Sequence, residues 1–210
     1  MPLPPLVFMQ GELLLEKKKL SDKQVNKLVV LGLLLAAVLV GIDQLTKWLV
    51  VQNMALHESI HLIKFGDTQV LNLSYYLNDG SAFSMFEGET AMLICVTSLM
   101  MGAMVCAMVL KHVRRPWYIL SFSLIVGGGV GNLIDRIFNG GNVVDFIDVR
   151  IINFAIFNFA DICAVCGGIL LCVLVIIDEV QDVRAKKAAK AEDAAEAPEA
   201  AEEVTEDGEN

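Results

Sequence analysis

The sequence predicts an all-α membrane protein with a small β element: four transmembrane helices, with an outer-face amphipathic β cradle between the first and the second. Three observations carry that expectation. Of the 210 residues, 55% are hydrophobic. Four apolar stretches are each long enough to cross a hydrocarbon core, which takes roughly 20 residues of helix. Basic residues gather in three clusters beside those stretches.

In chain order, residues 1–26 read as a cytoplasmic extension. Its start, Met1 to Phe8, is proline-rich and too short to be a signal-peptide core followed by a cleavage site. The membrane domain is expected over 27–177, with spans at about Leu28 to Val51, Ala91 to Leu110, Trp117 to Ile134 and Phe157 to Ile177. The first span serves as an uncleaved anchor.

Lys17, Lys18, Lys19, Lys23 and Lys27 precede the first span, Lys111, Arg114 and Arg115 fill the turn between the second and third, and Arg184, Lys186, Lys187 and Lys190 follow the fourth. Basic clusters mark the cytoplasmic side. Both termini are therefore expected in the cytoplasm, with 52–90 and 135–156 on the outer face, the second as a loop or short helix over a site.

Within the first outer segment, Leu62 to Phe65 and Val70 to Tyr76 alternate like strands. Residues 178–210 form a cytoplasmic tail. Ala191 to Asn210 holds nine acids and no base, which accounts for the whole formal net charge of −9. Such a segment cannot bury enough apolar surface to fold, and disorder is expected from about 191. With those acids set aside the chain is neutral, and no nucleic-acid partner is expected.

The five cysteines, Cys95, Cys106, Cys163, Cys166 and Cys172, all fall in spans, so no structural disulfide is expected. Cys163-x-x-Cys166 has no second pair to complete a metal set and reads as packing.

The informative residues are the polar ones in apolar surroundings. A carboxylate in or beside hydrocarbon costs several kcal/mol, so an intramembrane acid is a functional-site hypothesis by default. Asp145 and Asp161 lie on either side of the link into the fourth span, and Asp161 sits inside that span. Two acids at one membrane face suggest a catalytic pair. Asp43 and Lys47, spaced i,i+4, can neutralise each other. The third span ends in Gly127-Gly128-Gly129-Val130-Gly131-Asn132-Leu133-Ile134-Asp135-Arg136, where small residues allow close helix approach. Asp135 with Lys47 or Arg136, and Asp148 with Arg150, suit ion pairs. Asn158, three residues before Asp161, can orient a carboxylate.

Other chemistries are open at this point. His57-Glu58-Ser59-Ile60-His61 spells H-E-x-x-H, which on a helix holds zinc between two imidazoles with the Glu as base. The third ligand would have to be a carboxylate such as Asp67 or Asp79. Ser81 could act as a nucleophile if Lys47 reached it unprotonated. An ion-coupled carrier would also bury carboxylates, although carriers usually show internal repeats.

Five blocks, read together, resemble the lipoprotein signal peptidases, or signal peptidase II: Asp43-Gln44-Leu45-Thr46-Lys47, Asn78-Asp79-Gly80-Ser81-Ala82-Phe83, Gly131 to Arg136, Val143-Val144-Asp145-Phe146, and Phe157-Asn158-Phe159-Ala160-Asp161. The resemblance covers about Lys27 to Ile177. It implies an aspartic endopeptidase with Asp145 and Asp161 as the dyad. Asn78, Gly80, Asn132, Asp135, Arg136 and Asn158 would surround them, and Asp43 and Lys47 would have structural and substrate-positioning roles. It implies no metal or other cofactor, a bacterial inner-membrane location, and a prolipoprotein substrate whose Cys carries a diacylglyceryl group, cut on the amino side of that Cys. The partners expected are that substrate and membrane lipid, with the protein a monomer.

Overall fold

A computed structural model of the chain describes residues 20–66, 68–80, 90–152 and 154–196, with side chains to Lys187. Among the described residues, four helices and three strands follow in the order α1 (Asp22–Asn53), β1 (Ser59–Phe65), β2 (Thr68–Asn78), α2 (Thr90–Val109), α3 (Pro116–Phe138), β3 (Val143–Val149) and α4 (Phe159–Glu196). All four helices contain stretches long and apolar enough to cross a membrane.

α1 starts before the apolar run because Ser21 and Gln24 form a capping box. The Gln24 N–H donates to Ser21 Oγ, and the Ser21 N–H donates back to Gln24 Oε1 at 2.9 Å. α3 starts with Pro116 in its first turn, where a missing N–H costs nothing. α4 runs to Glu196, about 57 Å of helix at 1.5 Å per residue, well beyond one hydrocarbon thickness. The acid-rich tail is thus helical for its first six residues, where disorder had been expected from 191. The reason is local: apart from Asp193, 185–196 is built from Ala, Lys and Glu, strong helix formers.

α3 is the central helix and packs against each of the other three. The core is stacked in layers along the bundle. Val25, Val29, Met108 and Ile119 fill the end with the basic clusters, Ala36, Met101 and Val126 the middle, and Val50, Met54, Val144 and Phe146 the other end, under the sheet. The α3–α4 crossing is closest at Gly128, where a Cβ would stand 2.2 Å from the Ala160 carbonyl oxygen. At Gly131 a Cβ would stand 2.6 Å from Asp43 Oδ2. These two glycines let α3 lie against the start of α4 and the polar part of α1.

The sheet is antiparallel in the order β1-β2-β3. One face is apolar and sits on the bundle through Leu73, Tyr75 and Leu77. The other carries a polar ladder: Ser59 and Ser74 hydroxyls at 2.7 Å, Ser74 Oγ donating to Asp148 Oδ2 at 2.9 Å, and His61 with Asn72 at 3.0 Å.

The expectation of a loop or short helix across 135–156 is corrected. α3 continues to Phe138, and Val143–Val149 is a strand paired with β2, with Asp145 opposite Tyr76. Val143, Val144 and Phe146 are buried, and the ladder satisfies a backbone that a buried loop would leave unpaired.

Candidate active site

Polar side chains from five elements meet at the sheet end of the bundle. The core of the assembly is Lys47, buried on α1. Its Nζ lies 2.9 Å from Asp43 Oδ2 and 3.1 Å from Asp135 Oδ2, and donates to Asn132 Oδ1 at 2.8 Å. Buried charges persist only when paired and fully hydrogen-bonded, and the remaining oxygens are filled. Asp43 Oδ1 accepts the Ala160 N–H at 3.0 Å, tying α1 to the start of α4. Asp135 Oδ2 accepts the Val144 N–H at 3.0 Å, tying α3 to β3. Gln44 donates to Asp135 Oδ1 at 2.9 Å and to the Gly131 carbonyl at 3.1 Å. Asp135 thus pairs with Lys47, while Arg136 donates from Nη2 to the Gly80 carbonyl at 2.9 Å. The Asp148–Arg150 pair forms at 2.7 Å.

Asp145 and Asp161 are joined to this assembly through amides. Asp145 is buried. Its Oδ1 accepts from Asn158 Nδ2 at 2.7 Å and its Oδ2 from Asn78 Nδ2 at 2.9 Å. The Gly80 N–H donates to Asn78 Oδ1 at 3.0 Å, which fixes that amide with its NH₂ toward Asp145. Asp161 stands in the first turn of α4. Its Oδ1 accepts from Asn132 Nδ2 at 2.8 Å and its Oδ2 from the Asn158 N–H at 2.9 Å. The Asp161 N–H returns a bond to Asn158 Oδ1 at 3.1 Å, so Asn158 and Asp161 cap the helix reciprocally. Asn158 Nδ2 also reaches Asn132 Oδ1 at 3.0 Å. A continuous chain therefore runs from Lys47 through Asn132 to Asp161, and through Asn132 and Asn158 to Asp145.

Burial pushes the Asp145 carboxyl up from the ordinary carboxylate value to about 7; the Asn78 donor pulls it back, and the charge of Asp161 adds to the rise. Asp145 and Asp161 both line one cavity of about 410 Å³. Asn78, Asn132 and Arg136 also line it, together with apolar residues that include 154–157, Ile162 and Val165, and with Cys166. Two carboxylates lining one cavity, each bonded by a different N–H of Asn158, can hold one proton between them and exchange it with a bound water.

All ten residues singled out from the sequence lie at this end. The H-E-x-x-H segment does not form a helical zinc face. His57 is in a turn at φ 68° with its ring against Tyr76, the Glu58 carboxylate accepts the Ala55 N–H at 2.8 Å, and His61 is on β1 bonded to Asn72. Ser81, with Ala82, Phe83 and Asp67, lies outside the described residues. Gln44 was missed by sequence reasoning, although it lies inside the first polar block. The apolar wall at 154–157 was missed because nothing in its composition separates it from the adjoining span.

Residues 35–177 match the family model for signal peptidase (SPase) II. The lipoprotein signal peptidase of Brevibacillus brevis is 40% identical over 139 residues, covering 66% of this chain and 90% of that protein. That of Enterococcus faecalis is 34% identical over 154 residues, covering 73% and 92%. Among solved structures, a bacterial membrane enzyme determined by the in meso method at 2.3 Å superposes with a TM-score of 0.65 at 30% identity, covering 70% of this chain and 88% of that one. The fold, the polar blocks at the sheet end and these matches agree: the chain belongs to the signal peptidase II family.

Proposed function

We propose that this protease is an aspartyl endopeptidase of the bacterial inner membrane. It cuts diacylglyceryl-modified prolipoproteins on the amino side of the lipidated Cys, with Asp145 and Asp161 as its dyad. The observation that carries this reading is the pair of carboxylates lining one cavity, each held by two donors and linked through Asn132 and Asn158.

Near neutral pH the pair holds one proton, because burial pushes the Asp145 carboxyl up to about 7. The ionised member of the pair takes a proton from a water in the cavity as the water attacks the scissile carbonyl. The protonated member donates toward the developing oxyanion, and the pair later protonates the leaving amine. The step forms no covalent enzyme intermediate and needs no metal. Arg136, which lines the same cavity, adds a fixed positive charge near the developing negative one.

The orientation follows from charge. Lys111, Arg114 and Arg115 lie at the end opposite the sheet, as do Lys23 and Lys27, and the positive-inside rule puts that end in the cytoplasm. The dyad then faces the outer side, and acyl chains on the substrate Cys hold the scissile bond at the depth of the acids. A Ser–Lys mechanism is disfavoured because Lys47 is held by two carboxylates and an amide.

The deciding experiment measures cleavage of lipidated and unlipidated prolipoprotein in liposomes by wild type, Asp145→Asn and Asp161→Asn, with and without a chelator. Each substitution is expected to lower the rate by roughly 10³-fold or more, since the acid–base role has no substitute. The unlipidated substrate is expected to be spared and chelation to change nothing. Retained activity in either variant rejects the dyad, and loss on chelation reopens a metal mechanism.

A further inference from the structure

Gln44 is half-buried on α1, one residue after Asp43, and lies outside the residues that line the cavity. Its amide nitrogen meets three acceptors: Asp135 Oδ1 at 2.9 Å, the Gly131 carbonyl at 3.1 Å and Asp43 Oδ2 at 3.2 Å. Two of these belong to α3 and stand one turn apart, a backbone oxygen at Gly131 and a side-chain oxygen at Asp135. A single amide thus fixes the plane of the Asp135 carboxylate relative to the helix that carries it.

The setting of that carboxylate matters because of what its other oxygen does. Asp135 Oδ2 takes both Lys47 Nζ, at 3.1 Å, and the Val144 N–H, at 3.0 Å. An ammonium is a compact charge with rotatable donors, so Lys47 anchors Asp135 without choosing its plane. Gln44, a planar donor at the opposite oxygen, supplies that constraint. Further along β3, the Phe146 and Ile147 N–H groups donate to the Phe157 carbonyl at 3.0 and 2.7 Å. At Val144 a side-chain oxygen takes the part that this backbone carbonyl plays two and three residues later. The Val144 carbonyl in turn accepts from Asn158 Nδ2 at 3.4 Å. The peptide units on both sides of Val144 are therefore held by side chains, and the second of them ends at the Asp145 Cα.

We propose that Gln44 is a positioning residue for the reaction: it sets the plane of Asp135, Asp135 sets the Val144 peptide, and that peptide sets the Asp145 carboxyl in the cavity. The proposal rests on the reading of Asp145 as one of the catalytic pair. An amide suits the task because it donates without adding charge to a cluster in which Lys47 already answers Asp43 and Asp135. A glutamine that merely tied α1 to α3 would leave β3 alone.

Gln44→Met keeps the length of the side chain and removes its donor. In the full chain, isotope-labelled in detergent micelles, hydrogen exchange at the Val144 amide is expected to quicken about tenfold, with the Ile147 amide within about twofold of wild type. In liposomes, the same variant is expected to cleave lipidated prolipoprotein with kcat lowered about tenfold and KM within about twofold, because a misplaced acid is lost to the transition state more than to binding. Gln44→Asn, which keeps the amide but draws it back by one methylene, about 1.5 Å, is expected to move both readouts in the same direction. Equal quickening at Val144 and Ile147 would mark a general loosening and overturn the proposal. So would a wild-type exchange rate at Val144, or a quickened Val144 with wild-type kcat. The exchange readout does not depend on catalysis, so retained activity in Asp145→Asn would reject the dyad reading separately, with the coupling from Gln44 to Val144 still measured on its own.

Discussion

At the sheet end, Lys47 is buried between Asp43 and Asp135, and every oxygen of those two carboxylates has a backbone, amide or ammonium donor. At the basic end, Arg114 and Lys111 share the carboxylate of Asp22, whose side chain is 67% exposed. Arg115 pairs with Asp178 beside Tyr118, half in and half out of water. The charges are of the same kinds, but what they hold together differs. The exposed pairs join the ends of helices that apolar layers already hold, whereas the buried cluster is itself the joint between α1, α3, β3 and α4. Burial makes a broken partner costly, so the geometry around Asp145 and Asp161 depends on groups that never face the cavity.

That contrast can be broken most sharply at Lys47. Lys47→Met leaves two buried carboxylates without their cation. It is expected to cost about 3–5 kcal/mol, visible as a large fall in thermal midpoint in detergent together with loss of cleavage. Adding Asp43→Asn and Asp135→Asn to it should recover part of the stability. No recovery would mean that Lys47 acts other than by neutralising those acids.

Gly128→Ala tests the joint without touching charge. Its methyl would fall on the Ala160 carbonyl, so the start of α4 must move. The expected stability cost is about 1–3 kcal/mol for overpacking. The kcat should fall further than that suggests, by on the order of 10²-fold, because Asp161 sits one residue beyond the contact. A variant with wild-type kcat would show that the crossing is not what positions the acid.

The pH response is smaller and has a definite sign. Asp145 is raised, so as pH climbs through about 7 the pair loses its shared proton, and activity should drop about tenfold per unit on that alkaline side. Its contribution to stability is fully present below the ordinary carboxylate value near 4 and is lost as pH rises through about 7. The thermal midpoint of wild type should therefore fall between pH 5 and pH 8, and Asp145→Asn should flatten that fall. A rise in wild type would reverse the assignment.

Asp22→Ala, at the exposed end, is expected to leave both the midpoint and the cleavage rate within error, since solvent-exposed pairs contribute little. A clear loss there would mean that the two ends are not as different as their burial suggests.

Much of this was legible in the chain itself, for physical reasons that differ by element. The spans declare themselves because hydrocarbon demands long apolar helices. Asp43, Lys47, Asp145 and Asp161 stand out because each breaks that rule. The start of α1 was also readable, in Ser21-x-x-Gln24, but the apolar run drew attention to Leu28 instead. β3 was harder: a strand buried on both faces loses the alternation that identifies β1 and β2, and its acids pointed to a loop. The sharing of donors was not readable at all. That Asn132 serves Lys47, Asn158 and Asp161 together depends on distances across 26 to 85 positions of sequence, which spacing cannot supply.

Asn132 takes bonds at its oxygen, from Lys47 and Asn158, and gives one at its nitrogen, to Asp161. The chain of contacts through it thus has a direction, and an amide is the smallest side chain with two unlike ends to maintain it. An aspartate of the same shape would offer two accepting ends, turning a donor into a repulsion against Asp161. At position 132 it is therefore polarity of sense, rather than bulk, that evolution or a designer has to respect, and the near-isostere is a worse replacement than a truncation.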